Sequence, residues 1–403
     1  MNLESLSSAE KTNLNIGFMR LTDSAPLIIA QELHFFQRYG LEVALSREES
    51  WANVRDKVVA GILDAAPMLA PMPLITSPGL KNNASPFITG LMLSLSGSAI
   101  TLASGLCKQF DLGAKKSGDN CPDPVFTAQK LGEIINALSG QLTLATPYPY
   151  SMDTFQLRHW LKLGGVCPER DVKIIVLPPE AMIANLTRGA IDGFCVGEPW
   201  NSVAVQAGIG STVVSGYPIL NNIPEQAFVV TEHWHKTYPS THLRLRLAIM
   251  EAAAWLSKPE NRQMAVAILA QSNFLDLQEQ VVNTALLGHS IERKPSDLEE
   301  NPGFIALNRY NAGFPWRSSA KCLLEENFEL QGITSDCKEA RQLIEKVYRT
   351  DLYREAAAVL GYSCPSTDYK DEGCNTRTYP YKHTKEMGRD MFLNGDKGFS
   401  LQR

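Results

Sequence analysis

The sequence predicts an α/β protein built as two lobes around a ligand cleft and continued by a helical C-terminal part. Three observations carry that expectation. β-branched runs alternate with amphipathic helical stretches, the alternation occurs twice at the same spacing, and the chain after about Ser240 keeps a helical apolar period. Strands alternating with helices require right-handed crossovers long enough to hold a helix, and that arrangement gives parallel sheets covered on both faces.

The first unit opens with the strand LNIGFM (14–19) and continues into LIIAQELHFFQRY, where Ile29, Leu33 and Phe36 share one helical face. Gly40 ends that helix and LEVAL forms the next strand. WANVRDKVVA, with Val54 and Val58 in register, is the second helix, followed by Gly61 and the apolar run ILDAAPMLAPMPL. The second unit repeats this order: strand QLTLAT, helix MDTFQLRHWLKL ending at Gly164-Gly165, strand VKIIVLP, helix EAMIANLTR, Gly189 and strand GFCV. Leu14 to Asp64 and Leu142 to Asp192 cover the same interval, and in both copies a Gly precedes the Asp by three positions. A recurring Asp at one repeat position points to a structural role, anchoring the turn to the strand.

Long β-like segments flank the second unit: ASPFITGLMLSLSGSAITLAS before it and EQAFVVTEHWHKTYP after it. They predict two crossings between lobes, with 14–103 and 226–403 forming the first lobe and 104–225 the second. LRLRLAIMEAAAWLSK, NRQMAVAILAQS and ARQLIEKVYRTDLYREAAAVLG keep helical spacing and cover the first lobe. In open α/β sheets ligands bind beyond the carboxyl ends of the strands. The loops MRLTDSAP (19–26), TPYPYSMD (146–153) and GAIDGFCVGEPWN (189–201) therefore border the cleft.

Bulk properties remove several classes. Among 403 residues, 44% are apolar and 20% charged, with a formal net charge of −5, so the chain has an ordinary globular composition and no field that attracts a phosphate backbone. Direct nucleic-acid binding is not expected. No run of apolar residues is long enough to span a bilayer. The first residues, MNLESLSSAEKTN, lack the basic patch and apolar stretch of an export signal, which leads to the expectation of a cytoplasmic protein. The eight cysteines form no CxxC pair, and His233 and His235 lack a third ligand nearby, so neither a metal nor a cofactor is expected.

LTDSAPLIIAQELHFFQRYGLEV, GILDAAPMLAPMPL, SGSAITLAS, RHWLKLGG, IVLPPEAMIANLTRGAIDGFCVGEPWN and DLYREAA resemble the nitrate and bicarbonate binding proteins of bacterial ABC transporters. The resemblance runs from about Leu14 to Tyr362 and includes the NasS-type cytoplasmic nitrate/nitrite sensors of the same family. It implies a type II periplasmic-binding-protein-like fold and a small-molecule ligand, nitrate, nitrite or another small polar solute. With no export signal in view, the sensor branch fits better, and it implies a regulatory partner, an RNA-binding antiterminator of the ANTAR type. The alternative is a substrate-binding component of an ABC transporter.

The resemblance also implies a pocket. A family Trp matches Trp51, and a Pro and a Val match Pro179 and Val196. Three polar positions depart: the family's Gln, His and Lys are Ser98, Asp153 and Gln226 here. An anion about 4 Å from a carboxylate meets roughly 4 kcal/mol of repulsion at an effective dielectric near 20. Arg20, at the end of the first strand, is either the compensating cation, paired with ligand or with Asp153, or a solvated loop residue.

Each site candidate has a plainer role. Trp51 could pack the start of its helix, Ser151 and Asp153 could cap theirs, and Glu198 could brace the cleft from behind. A third function, a cleft enzyme, rests on Cys195. A nucleophilic thiolate needs a base or positive neighbour, and the residues around Cys195 are apolar or acidic. The segment CNTRTYPYKHTKEMG carries aromatics and cations and reads as either a partner contact or a flexible tail.

Overall fold

The computed structural model describes residues 6–76, 85–110, 123–138, 140–287, 304–331, 338–375, 377–381 and 386–392. Residues 111–122, rich in Gly, Lys and Asp, lie outside them. In the first unit, β1 (Asn13–Met19) pairs in parallel with β2 (Glu42–Glu48), and a parallel bridge from Ile16 to Ala65 brings in β3 (Ala66–Leu69). The helix expected over LIIAQELHFFQRY is two short ones, Ala25–Glu32 and Phe35–Arg38. Its break is His34, held left-handed at φ 59°. Ile29 and Phe36 are nevertheless buried, so the apolar face survives the break. The apolar run after Gly61 keeps only four residues as strand and turns into the helix Met72–Thr76.

β4 (Phe87–Ser96) belongs to the first sheet and β5 (Ser98–Ala103) to the second. Between them stands Gly97, whose φ of 103° suits glycine and allows the chain to change sheets in one step. Residues 98–103, assigned to the first lobe by the sequence, therefore belong to the second sheet. The second unit supplies β6 (Leu142–Thr146), β7 (Val172–Val176) and β8 (Gly193–Gly197), with β6 parallel to both others. β9 (Gly210–Ser215) completes that sheet in the order β7-β6-β8-β5-β9. The chain returns over 216–223 into β10 (Pro224–Thr231), which lies between β4 and β3, and the short β11 (Ile305–Ala306) adds to the far side of β4.

Both sheets are mixed rather than purely parallel. The crossing strands β4, β5, β9 and β10 make the antiparallel pairings, because a chain that leaves one lobe must come back against its own direction. Within the repeats, Asp64 and Asp192 do the same work. The Asn15 N–H donates to Asp64 Oδ2 at 2.9 Å and the Thr143 N–H to Asp192 Oδ2 at 2.8 Å. In return the Asp64 N–H reaches the Asn15 carbonyl at 2.8 Å and the Asp192 N–H the Thr143 carbonyl at 2.7 Å. Each carboxylate closes its unit onto the first strand.

The helices Pro239–Leu256, Arg262–Leu269 and Thr350–Leu360 bury their apolar faces with Leu14, Phe18, Ile28 and Phe36. A second core joins Met19, Trp51 and Met68 of the first lobe to Ile100, Val196 and Trp200 of the second in one apolar cluster. The described part of the C-terminal segment is packed down, in place of the flexible tail considered above. Tyr381 lies edge-on to Trp316 with centroids 5.5 Å apart, and Phe392 bridges Leu220 in the return crossing. Lys370 is buried between Glu372 and Asp390.

Candidate functional site

The segments that follow β1, β2, β6 and β7 lead into helices beginning at Thr22, Trp51, Met152 and Pro179. Ser50 accepts the Asn53 N–H and caps the helix Trp51–Val59, which puts Trp51 at the helix start, 1% exposed. Ser151 caps the helix Met152–Leu163 in the same way through the Thr154 N–H. Capping is thus done by Ser151 and leaves Asp153, the next residue but one, free for another role. Pro179 opens the helix Pro179–Thr187, and Val196 lies in β8; both are buried. Ser98 donates from its hydroxyl to Gln156 Oε1, and Gln226 Nε2 donates to Asp23 Oδ2 at 3.0 Å.

Three carboxyl groups share this junction: Asp23 after β1, Asp153 after β6 and Glu225 on β10. Each is at most 1% exposed. Burial pushes the Asp23 carboxyl up to about 7 against the opposing hydrogen bond of Gln226 and the nearby hydroxyl of Ser94. Burial also raises Asp153, to about 7, against the Ser151 hydroxyl and with the Asp23 charge adding to it. Glu225 is driven well above the ordinary carboxylate range by burial, then by Asp153 and Asp23. Asp23 Oδ1, Asp153 Oδ1, Glu225 Oε2 and Gln226 Oε1 have no hydrogen-bond partner among the described residues, and neither do Trp51 Nε1 and Gln156 Nε2. Unpaired buried polar atoms cost about 1–3 kcal/mol each, so a cluster of them signals something other than packing.

Arg20 is placed elsewhere. Its guanidinium bonds Glu180 Oε2 at 3.0 Å, the Leu275 carbonyl at 2.7 Å and the Asp276 carbonyl at 3.2 Å, and it stacks 5.1 Å from the Trp200 ring. It neither pairs with Asp153 nor joins the carboxyl cluster, and it is not a solvated loop residue. Arg20 instead ties the end of β1 to the second lobe. Thr22 adds to that tie, its N–H donating to the Glu198 carbonyl at 2.9 Å. Glu198, followed by a cis peptide to Pro199, braces from behind: its carboxylate accepts the Ser202 N–H at 3.1 Å, and burial raises it to about 7.

Cys195 is fully buried on β8, and burial, Asp153 and Glu225 hold its thiol well above the ordinary range. That environment opposes the thiolate a nucleophile needs. Sequence reasoning missed Asp23, Gln156 and Glu225. The loop MRLTDSAP was placed at the cleft, but an acid in a polar loop carries no mark of burial, and Glu225 differs from the chosen Gln226 by one position.

Two mixed sheets joined by paired crossings, with loop tips meeting over buried polar groups, define an α/β protein of the periplasmic-binding-protein type. The chain belongs to the NMT1-like family, whose family model matches residues 7–270. It is 35% identical over 355 residues to the nitrate import ATP-binding protein NrtC of Synechocystis, covering 88% of this chain and 51% of that one. The chain thus spans about half the length of such relatives. It is 30% identical to the nitrate/nitrite binding protein NrtA of Synechococcus elongatus, over 87% of this chain and 79% of that one. The crystal structure of the periplasmic nitrate-binding protein NrtA from Synechocystis superposes with a TM-score of 0.81 at 27% identity, covering 90% of this chain and 94% of that one.

Proposed function

We propose that this chain is a small-solute-binding protein that closes its two lobes on one ligand and serves an ABC-type import system. The observation that carries the reading is the cluster of unpartnered buried polar atoms at the strand ends, on both sides of the junction. Asp153, from the helix after β6, faces Asp23 after β1 and Glu225 on β10 across the junction, so a ligand that satisfies these groups together stabilises the shut form. Trp51, Ser98, Asp153, Pro179, Val196 and Gln226 form the binding wall in this proposal, together with Asp23 and Glu225, while Arg20 holds the lobes together beside it.

The relatives are named as import and binding proteins, which favours transport over the regulation of an ANTAR-type partner in the cytoplasm. The enzyme reading loses its nucleophile with the buried thiol of Cys195. Thermal-shift screening with small solutes, followed by small-angle scattering, tests the proposal. The expected result is a ligand that raises the melting temperature and shrinks the radius of gyration. A ligand that binds with no change in lobe closure would refute it.

A further inference from the structure

We propose that the ligand is a compact nitrogenous cation bearing several N–H donors, of the guanidinium or amidinium class, held by Asp23, Asp153, Glu225 and the carbonyl oxygen of Gln226. This deepens the solute-binding reading and rests on it. The argument is a count of hydrogen-bonding capacity. Four oxygen atoms on these residues lack a donor, and all four side chains are at least 99% buried. Gln226 supplies the evidence independent of the acids: its Nε2 is spent on Asp23 Oδ2 at 3.0 Å, so its unpartnered Oε1 stands beside that carboxylate as one more acceptor.

Among the described residues no cation answers this demand. The groups acting on Asp23, Asp153 and Glu225 are one another, the hydroxyl or amide groups of Ser94, Ser151 and Gln226, and the backbone N–H of Asp153. Arg20, the basic residue nearest in sequence to Asp23, is committed to Glu180 and two carbonyls. An oxyanion such as nitrate or bicarbonate would add acceptors to a place already rich in them and would drive the three carboxyls further toward their neutral forms, whereas a cation pairs with them ionised. A bare metal ion fits no better, because among the described residues no three Cys, His, Asp or Glu groups converge as ligands around one point. Acids that influence one another yet do not converge suit a polyatomic cation, whose N–H groups project in several directions and reach separate oxygens. Trp51 keeps one N–H, Gln156 two and Ser94 its hydroxyl without a partner. Those donors can anchor water or an acceptor substituent on the cation, which would distinguish a substituted ligand from the bare ion.

The test is titration calorimetry on the full chain at fixed ionic strength, with millimolar guanidinium, methylguanidinium, acetamidinium, nitrate and bicarbonate as probes. At least one cation is expected to bind, and the two anions are not. Asp153→Asn and Glu225→Gln keep shape and remove charge, and each is expected to weaken cation binding at least tenfold with an unchanged circular-dichroism spectrum. Cation binding that survives both substitutions overturns the assignment of these residues. Binding of nitrate or bicarbonate without cation binding overturns the cation class and leaves solute binding intact. A chain that binds no probe of either charge, and whose scattering profile none of them changes, overturns both.

Discussion

The carboxyl cluster makes lobe closure a function of pH, and the sign follows from Asp23. Its carboxyl is raised from 3.8 to about 7 in the closed form, a shift of about 3 units, or about 4 kcal/mol. Below about pH 4 the group is protonated in open and closed forms alike and costs nothing. Between about pH 4 and 7 the open form ionises while the closed form does not, so closure weakens as pH rises; above about 7 the loss is complete. A change of about 4 kcal/mol moves an open–closed ratio roughly a thousandfold. Asp153 and Glu225 act in the same direction. The assay is small-angle scattering without added solute from pH 4.5 to 7.5, and the radius of gyration is expected to rise. Asp153→Asn is expected to flatten that rise by removing one of the coupled charges. Scattering is preferred to melting because burial lowers His235 and His242 from their usual 6.5, and both lie in the first lobe. Those imidazoles are neutral when folded and lose stability as pH falls through 6.5, which opposes the carboxyls in a melting curve and leaves closure untouched. A radius of gyration that stays level, or falls toward neutral pH, would refute the reasoning.

Arg20→Ala should open the lobes without touching the ligand shell. Glu180 is 38% exposed, so a double-mutant cycle between the two should give a coupling of only about 0.5–1 kcal/mol in the closure equilibrium. Asp192→Ala removes the acceptor of the Thr143 N–H and should cost about 1–3 kcal/mol in denaturant unfolding. Asp64→Ala should cost more, since Asp64 also accepts from Lys11 Nζ and Trp234 Nε1. Gly164→Ala would drive a methyl into the Ala128 carbonyl where two helices approach, at about 3 kcal/mol on the same assay. Cys195→Ala should leave solute binding within about twofold, and native Cys195 should resist alkylation that reaches the exposed Cys374.

The repeat was legible because its signals are local. A buried strand, a one-faced helix and a left-handed glycine each leave a mark within a few residues, and Gly61 and Gly189 both adopt φ 70°. The equivalence of Asp64 and Asp192 could be read from spacing alone, since each bonds the strand that starts its own unit. Trp51 and Asp153 enter as candidates through the family resemblance, and the structure places both at helix starts after strands. What could not be read was set by distant partners. Neither sequence reading of Arg20, compensating cation or solvated loop residue, includes its anchors Glu180 and Leu275, which lie 160 and 255 positions away. Asp23 and Glu225 are not singled out by the sequence, because burial of a charge leaves no trace in composition.

The lobe boundary is the instructive error. A continuous β-like run from 87 to 103 reads as one strand, yet the turn at Gly97 gives its two halves to different sheets. That turn sits against the cluster: a side chain at Gly97 would lie 3.5 Å from Asp23 Oδ1, and one at Gly197 3.7 Å from Asp23 Oδ2. The point where the chain changes lobes therefore adjoins one of the three buried acids. In the proposed reading the crossing turn and the binding wall adjoin, so the cost of the unpartnered acids is relieved either by opening or by a ligand that supplies the missing donors.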